Sequence, residues 1–115
     1  MSAFTVKFSL ADSNYFTALR LVAGAVCSAS DCDIDALEDF KVCVSESALI
    51  FKNCGYEELS AEFISEGGVK VKIKGLGGKA VAGDIDLSLA LVSALIADCE
   101  IKHEGGVISE VFLKL

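Results

Sequence analysis

The chain of 115 residues contains no proline, no tryptophan and a single histidine, His103. Because proline-rich stretches mark rigid linkers, the absence of proline gives no sign of a domain boundary, and we expect one domain spanning residues 1–115. No apolar run approaches the ~18 residues of a membrane span, and the N-terminus lacks the basic-then-apolar pattern of a signal peptide. The sequence therefore predicts a cytoplasmic protein without a membrane partner.

Basic residues are also scarce, since 10 Lys and Arg stand against 17 Asp and Glu, for a net charge of −7. Duplex DNA and anionic membranes both select for basic protein surfaces, so nucleic acid is not an expected partner. The charge is uneven: residues 1–66 carry 4 bases and 11 acids, whereas residues 67–115 carry 6 of each. A basic protein surface is therefore the partner that best complements the N-terminal half.

Cysteine is present five times, but never as a Cys-x-x-Cys pair. A zinc site needs three or four converging Cys or His ligands at close spacing, and only one histidine is available, so no metal site is expected. The cysteines are predicted to be reduced thiols that pack as small apolar side chains. They are Cys27, Cys32, Cys43, Cys54 and Cys99.

The hydrophobic pattern divides the chain into eight elements. Period-2 alternation predicts a strand over 2–10, and apolar spacing of three and four predicts a helix after Asp12 or Ser13 and a second one from Asp33 to Gly55. Glycine pairs in residues 66–68 and 104–106 predict two hairpins. The remaining predicted elements are strands at 57–65, 69–74, 99–103 and 107–115, and a helix at 85–97.

This order, β-α-α-β-β-α-β-β, predicts an α+β fold in which helices cover one face of a mixed sheet in a two-layer sandwich. In the strand at 69–74, Val69, Val71 and Ile73 alternate with three lysines. One face of the sheet should therefore be buried under the helices, and the lysine-bearing face should meet water.

Familiar catalytic motifs are missing. Gly75, Gly77 and Gly78 resemble a phosphate-binding loop only in composition, because the lysine after Gly78 is followed by alanine rather than Ser or Thr. There is no Gly-x-Ser-x-Gly element for a nucleophilic serine. The acids between residues 31 and 39 lack the ligand spacing of a calcium loop, so capping and solubility explain them better.

One segment nevertheless resembles a known family. Residues 35–48, Asp-Ala-Leu-Glu-Asp-Phe-Lys-Val-Cys-Val-Ser-Glu-Ser-Ala, are similar to a helix of bacterial anti-sigma-factor serine kinases, which belong to the GHKL (histidine kinase-like) ATPase superfamily. Residues 19–25 and 87–98 and the final Gly-Gly-Val hairpin resemble other parts of the same domain. The resemblance implies the histidine kinase-like fold, with Glu46 at the position of the family's conserved glutamate.

Several other positions depart from the family pattern. Ile50 replaces the asparagine that binds magnesium, Gly75 replaces the aspartate that contacts adenine, and Asp86-Leu-Ser88-Leu replaces the glycine-rich phosphate motif. An aspartate at a helix N-terminus repels phosphate. Asn53 lies on the Glu46 side of its helix, but ~4.5 Å beyond position 50. Only eight residues separate Gly77 from Asp86, where the family carries a much longer lid.

The resemblance and the departures together predict a degenerate relative. The leading hypothesis is a non-catalytic regulatory module that binds a signalling or sigma-factor-pathway protein and uses no cofactor. The resemblance also allows a homodimer formed through the sheet edge or first helix, which the sequence does not fix. The vestigial pocket would comprise Glu46, Ile50, Asn53, Gly75, Gly77, Asp86 and Ser88.

Three alternatives stay open. In the first, the protein is an active anti-sigma-factor serine kinase that binds ATP with Mg in a minimal pocket, and Glu46 is its catalytic base. In the second, the space left by the missing lid accepts another small ligand. In the third, which concerns Glu46 alone, its carboxylate is structural and is satisfied by a backbone amide or a lysine.

Overall fold

The computed structural model describes residues 2–115 and contains the eight elements in the predicted order. The order confirms the predicted α+β architecture, and the element bounds differ from the predicted ones by three residues at most. The elements are β1 (Ser2–Ser9), α1 (Asn14–Ala29), α2 (Ile34–Asn53), β2 (Glu58–Ser65), β3 (Val69–Leu76), α3 (Asp86–Leu95), β4 (Asp98–Glu104) and β5 (Val107–Lys114).

The five strands form one sheet in the order β1-β2-β3-β5-β4, and every neighbouring pair is antiparallel. The sheet is therefore antiparallel rather than mixed, which corrects the prediction. The crossover through α3 does make β4 run in the same direction as β3. The two strands are not paired, however, because the final hairpin places β5 between them.

Helix α2 forms the centre of the helical layer, and its ends follow from the sequence. The Asp33 carboxylate accepts a hydrogen bond of 2.8 Å from the backbone N–H of Ala36, which caps the N-terminus. Gly55 adopts a φ of +84° just after the last turn, a conformation that favours glycine. Four apolar residues at the spacing of three and four that predicts this helix are fully buried in the core: Phe40, Val44, Ala48 and Phe51.

One of the two flanking helices departs slightly from expectation. Helix α1 ends at Ala29, and its Gly24 faces the Lys41 side chain of α2. Helix α3 is shorter than predicted, since it begins at Asp86 and its last turn ends at Leu95. Among the helices of residues 2–115, none is both long enough and apolar enough to cross a membrane.

The lysine-bearing face of the sheet is open, as predicted, but it also holds a buried carboxylate. Glu110 lies in β5 between Lys74 of β3 and Lys102 of β4, with N···O distances of 3.6 and 3.2 Å. Its side chain is only 10% exposed, whereas both lysines are more than half exposed. The cross-strand register therefore places one acid between two bases at the centre of this face.

The cysteines fall into two groups, in agreement with the prediction of free thiols. Cys27, Cys43 and Cys54 are buried, while Cys32 and Cys99 are partly exposed. Burial raises the pKa of Cys27 and that of Cys43 to about 12, so neither thiol ionises at neutral pH.

We expect iodoacetamide at neutral pH to label the native protein at Cys32 and Cys99 well before the other three cysteines, because alkylation requires an accessible thiolate. Intact-mass and peptide mass spectrometry would measure the order of labelling. In urea all five thiols should react, which is the control. Rapid labelling of Cys27 or Cys43 in the folded protein would contradict the burial described above.

Candidate functional site

The predicted site residues lie on α2, at the end of β3 and at the start of α3. Helices α2 and α3 pack side by side in opposite directions, so that Glu46 of α2 meets Ser88 of α3. The Ser88 hydroxyl donates a hydrogen bond of 2.8 Å to Glu46 Oε2. Ser88 is buried and Glu46 is partly exposed. Glu46 therefore accepts a hydrogen bond from a hydroxyl, where the structural interpretation predicted a backbone amide or a lysine.

We expect Ser88→Ala to lower the free energy of unfolding by about 1–2 kcal/mol, because a partly buried carboxylate loses a charge-assisted hydrogen bond. Urea unfolding of Glu46→Gln, Ser88→Ala and the double variant measures the coupling between the two positions. Ser93→Ala, at an exposed serine of the same helix, is the matched control and should change stability by less than about 0.5 kcal/mol. If the effects of the two single substitutions were additive, the interaction between Glu46 and Ser88 would contribute nothing to the free energy of unfolding.

Position 50 faces the interior rather than a ligand site. Ile50 is 0% exposed and belongs to the main hydrophobic core. Asn53, which is on the same side of α2 in the helical wheel, is exposed at the C-terminal end of the helix. The fold therefore does not bring the Asn53 side chain into the place of the missing magnesium ligand.

Position 75 is covered by an aromatic ring. Tyr56 packs directly over Gly75, and a Cβ atom on residue 75 would overlap the ring, with Cδ1 only 2.6 Å away. The Tyr56 hydroxyl donates a hydrogen bond of 2.7 Å to the carbonyl oxygen of Ile108, and the ring contacts Phe51 edge-on. Burial raises the pKa of Tyr56, which keeps the hydroxyl protonated as a donor. The space beside Gly75 is thus filled by the ring of Tyr56.

The loop between β3 and α3 lies against the C-terminal end of α2. The backbone N–H of Val81 donates a hydrogen bond of 2.8 Å to the carbonyl oxygen of Cys54. Gly83 approaches the carbonyl group of Asn53 so closely that no side chain fits there. These contacts hold the main chain of the 77–85 loop against the end of α2.

Acidic groups surround the remaining predicted phosphate-binding positions. Gly77 packs against Glu57, whose Oε2 would lie 3.4 Å from a Cβ on residue 77. Asp86 is exposed in the first turn of α3, and Asp84 is exposed two residues earlier. Carboxylates at a helix N-terminus interact with the same backbone dipole that would attract phosphate, and they repel its negative charge. This arrangement therefore disfavours binding of a nucleoside triphosphate.

The structure brings together Glu46 with Ser88 and places Ile50 in the core, so the predicted residues do not share one open pocket. A separate apolar cleft of about 320 Å³ lies between α1 and the first two strands, where Phe4, Val22 and Phe63 line it. Across residues 2–115, no three His, Cys, Asp or Glu side chains converge as metal ligands.

Tyr56 is the site residue that the sequence reasoning missed. The available signal was Gly75, because an isolated glycine within a strand often marks the close approach of another group. An isolated glycine indicates that another group packs closely, but it does not indicate which residue supplies that group. The identity of the neighbour follows only from the turn after Gly55, which returns Tyr56 across the sheet.

Comparison with known proteins finds a similar solved structure but no similar sequence family. No family model and no curated protein matches the chain. Among solved structures, it is similar to the crystal structure of the RsbU and RsbW domains of Rv1364c from Mycobacterium tuberculosis, with a TM-score of 0.71 and 16% identity. The match covers 99% of this chain. The chain has an RsbW-like fold.

This likeness concerns the fold, and it confirms the predicted α+β architecture with the element order β-α-α-β-β-α-β-β. The chain spans about a third of the matched protein, since the match covers 32% of that longer chain. At 16% identity the likeness concerns the fold, and the chemistry of the site has to be argued from the residues of this chain.

Proposed function

We propose that this RsbW-like domain is a non-catalytic regulatory module that binds a protein of a signalling or sigma-factor pathway in the cytoplasm. In this proposal residues 1–115 act as one domain, and no nucleotide, metal or other cofactor takes part. The fold supports the protein-binding role, because RsbW-like domains act in sigma-factor pathways. The residues of the predicted site support the absence of nucleotide binding and of phosphate transfer.

The observation that carries the proposal is the packing of the 77–85 loop onto α2. A nucleotide would have to displace the hydrogen bond from Val81 to Cys54 and the contact of Gly83 with Asn53. In addition, Ile50 is buried in the core where the resemblance implies a magnesium ligand, and Tyr56 packs over Gly75 where it implies the adenine-binding carboxylate. Each change removes a separate component of nucleotide recognition, and together they disfavour binding.

We expect isothermal titration calorimetry with Mg-ATP to show no binding, and the melting temperature to stay unchanged in its presence. A nucleotide that binds only the native state raises the free energy of unfolding by RT ln(1 + [L]/Kd), or about 2.7 kcal/mol at a hundredfold excess over Kd. Binding would therefore produce a measurable rise in melting temperature. An ATP-binding histidine kinase-like domain serves as the positive control.

Magnesium-dependent binding of ATP would overturn the proposal and favour the active kinase. The kinase would then have to transfer labelled phosphate to a partner protein, and Glu46→Gln would have to abolish the transfer. Glu46 is partly exposed beside Ser88, so this substitution tests the base without removing a core residue.

We also propose that a second copy of the chain pairs at the outer edge of β1. This strand forms one edge of the sheet, and the apolar cleft with the exposed Phe4 side chain lies beside it. Residues 1–30 contain one acid and two bases, so this region avoids the repulsion expected between two copies of an acidic chain. Light scattering of the wild type and of Phe4→Lys would measure the association.

A further inference from the structure

Helix α3 is the most apolar helix of the protein, yet most of it is exposed. Seven of its ten residues are apolar, but its buried residues are only Ser88 and Val92. A helix that is apolar on all sides is normally buried on all sides. The composition of α3 is therefore not explained by the packing within this domain.

The exposed apolar residues of α3 form a continuous stripe. Leu87 is 77% exposed and Leu91 is 37% exposed, and two exposed alanines lie on the same side of the helix. The spacing is i, i+3, i+4 and i+7, which is the contact pattern that one helix offers to another. We call this surface the α3 outer stripe; it consists of Leu87, Ala90, Leu91 and Ala94.

The segment of chain that carries the α3 outer stripe has charges of one sign. Between Lys79 and Lys102 the chain contains no basic residue and four acids. Asp86 begins the helix and Asp98 follows it, and both are exposed. The other two acids of this segment are Asp84 and Glu100.

This charge pattern favours some binding partners of the α3 outer stripe over others. A second copy that docked through the same stripe would bring Asp86 against Asp86 in a parallel arrangement, or against Asp98 in an antiparallel one, and both are repulsive. The anionic surface of a membrane would be repelled for the same reason. A helix with an apolar face bordered by lysine or arginine is complementary in both shape and charge.

We propose that the α3 outer stripe docks an amphipathic helix of a protein partner, whose leucine-rich face is bordered by basic residues. This rests on the proposed function, because it names the partner's chemistry for the protein-binding module. The stripe lies on the solvent side of α3, opposite to the Ser88 side that contacts Glu46. Docking there leaves the packing between α2 and α3 unchanged.

Fluorescence anisotropy tests the proposal with a labelled helical peptide of about five turns, which carries a leucine stripe bordered by lysines. One control peptide has the same composition in scrambled order, and another has glutamates in place of the lysines. The lysine-bordered peptide is expected to bind at least about tenfold more tightly than either control, because it matches the apolar stripe and the surrounding acids.

The protein variants sharpen the test. Leu87→Ser should weaken binding of the lysine-bordered peptide at least about tenfold. Leu21→Ser, at a 67% exposed leucine of α1, is the matched control and should leave binding within about twofold. Asp86→Lys should weaken binding of the lysine-bordered peptide and strengthen binding of the glutamate-bordered one.

Several results would overturn the inference. Equal binding to the wild type and Leu87→Ser, or no preference over the scrambled peptide, would remove the docking site. A concentration-dependent mass that Leu87→Ser abolishes would assign the stripe to a second copy, and Leu87-dependent sedimentation with phosphatidylcholine vesicles would assign it to a membrane. Binding of Mg-ATP, by contrast, would overturn the proposed function and leave the peptide result standing.

Discussion

Ile50→Asn is expected to lower the free energy of unfolding by at least about 3 kcal/mol and to confer no binding of Mg-ATP. The substitution restores the residue type that the resemblance implies at the magnesium position, but Ile50 is 0% exposed in the core. Removing a buried isoleucine costs about 2–5 kcal/mol, and an unsatisfied buried amide costs about 1–3 more when the site cannot rearrange. Urea unfolding monitored by circular dichroism measures the loss.

Two control variants separate the causes. Ile50→Val removes one methyl group from the same place and should cost about 0.5–1.5 kcal/mol. Leu49→Asn introduces the same amide at the adjacent, 37% exposed position and should cost less than about 1 kcal/mol. If Ile50→Asn proved stable and bound Mg-ATP, position 50 would face a ligand pocket, and the degenerate site would have to be abandoned.

Gly75→Ala is the second substitution with a large expected effect, a loss of about 3 kcal/mol. Its single added carbon would overlap the Tyr56 ring, whose hydroxyl and edge are already fixed by Ile108 and Phe51. Overpacking of a well-packed interior typically costs about 1–3 kcal/mol, and here the ring cannot move without losing a hydrogen bond of 2.7 Å. Thermal and urea unfolding measure the change.

A double-variant cycle tests whether the ring is the cause. In a Tyr56→Ala background, Gly75→Ala should change stability by less than about 1 kcal/mol, because the obstructing atoms are gone. Gly24→Ala in α1 is the matched control, since its Cβ would meet the flexible Lys41 side chain at 3.4 Å. That variant should gain up to about 1 kcal/mol from helix propensity. An equal loss at Gly75 with and without the ring would refute the packing argument.

Most of the fold was predictable because local patterns agreed with the tertiary arrangement. The capping aspartate Asp33 and the glycine at position 55 define α2 within two residues, and the glycine pairs define both hairpins. The error concerned strand direction across the sheet. Whether β4 or β5 of the last hairpin pairs with β3 depends on how the hairpin inserts into the sheet, and no residue within either strand encodes that choice.

The site was predictable to a smaller extent. The resemblance identified Glu46 as a match to the family pattern and positions 50 and 75 as departures from it. The structure was needed to show which side chains surround these three positions. Glu46 meets Ser88 because α2 and α3 pack in opposite directions. Tyr56 reaches Gly75 because the chain turns back after α2. Both contacts join residues far apart in the chain or across a turn, so periodicity cannot reveal them.

The sequence by itself determined the element order, the acidic charge, the reduced cysteines and the buried faces of α2 and the sheet, because each depends on residue type and local spacing. The tertiary structure alone decided the strand pairing, the closure of the loop onto α2 and the exposure of Leu87 and Leu91. Those features depend on which surfaces meet after folding. An apolar stripe has the same pattern in the sequence whether the domain buries it or leaves it for a partner.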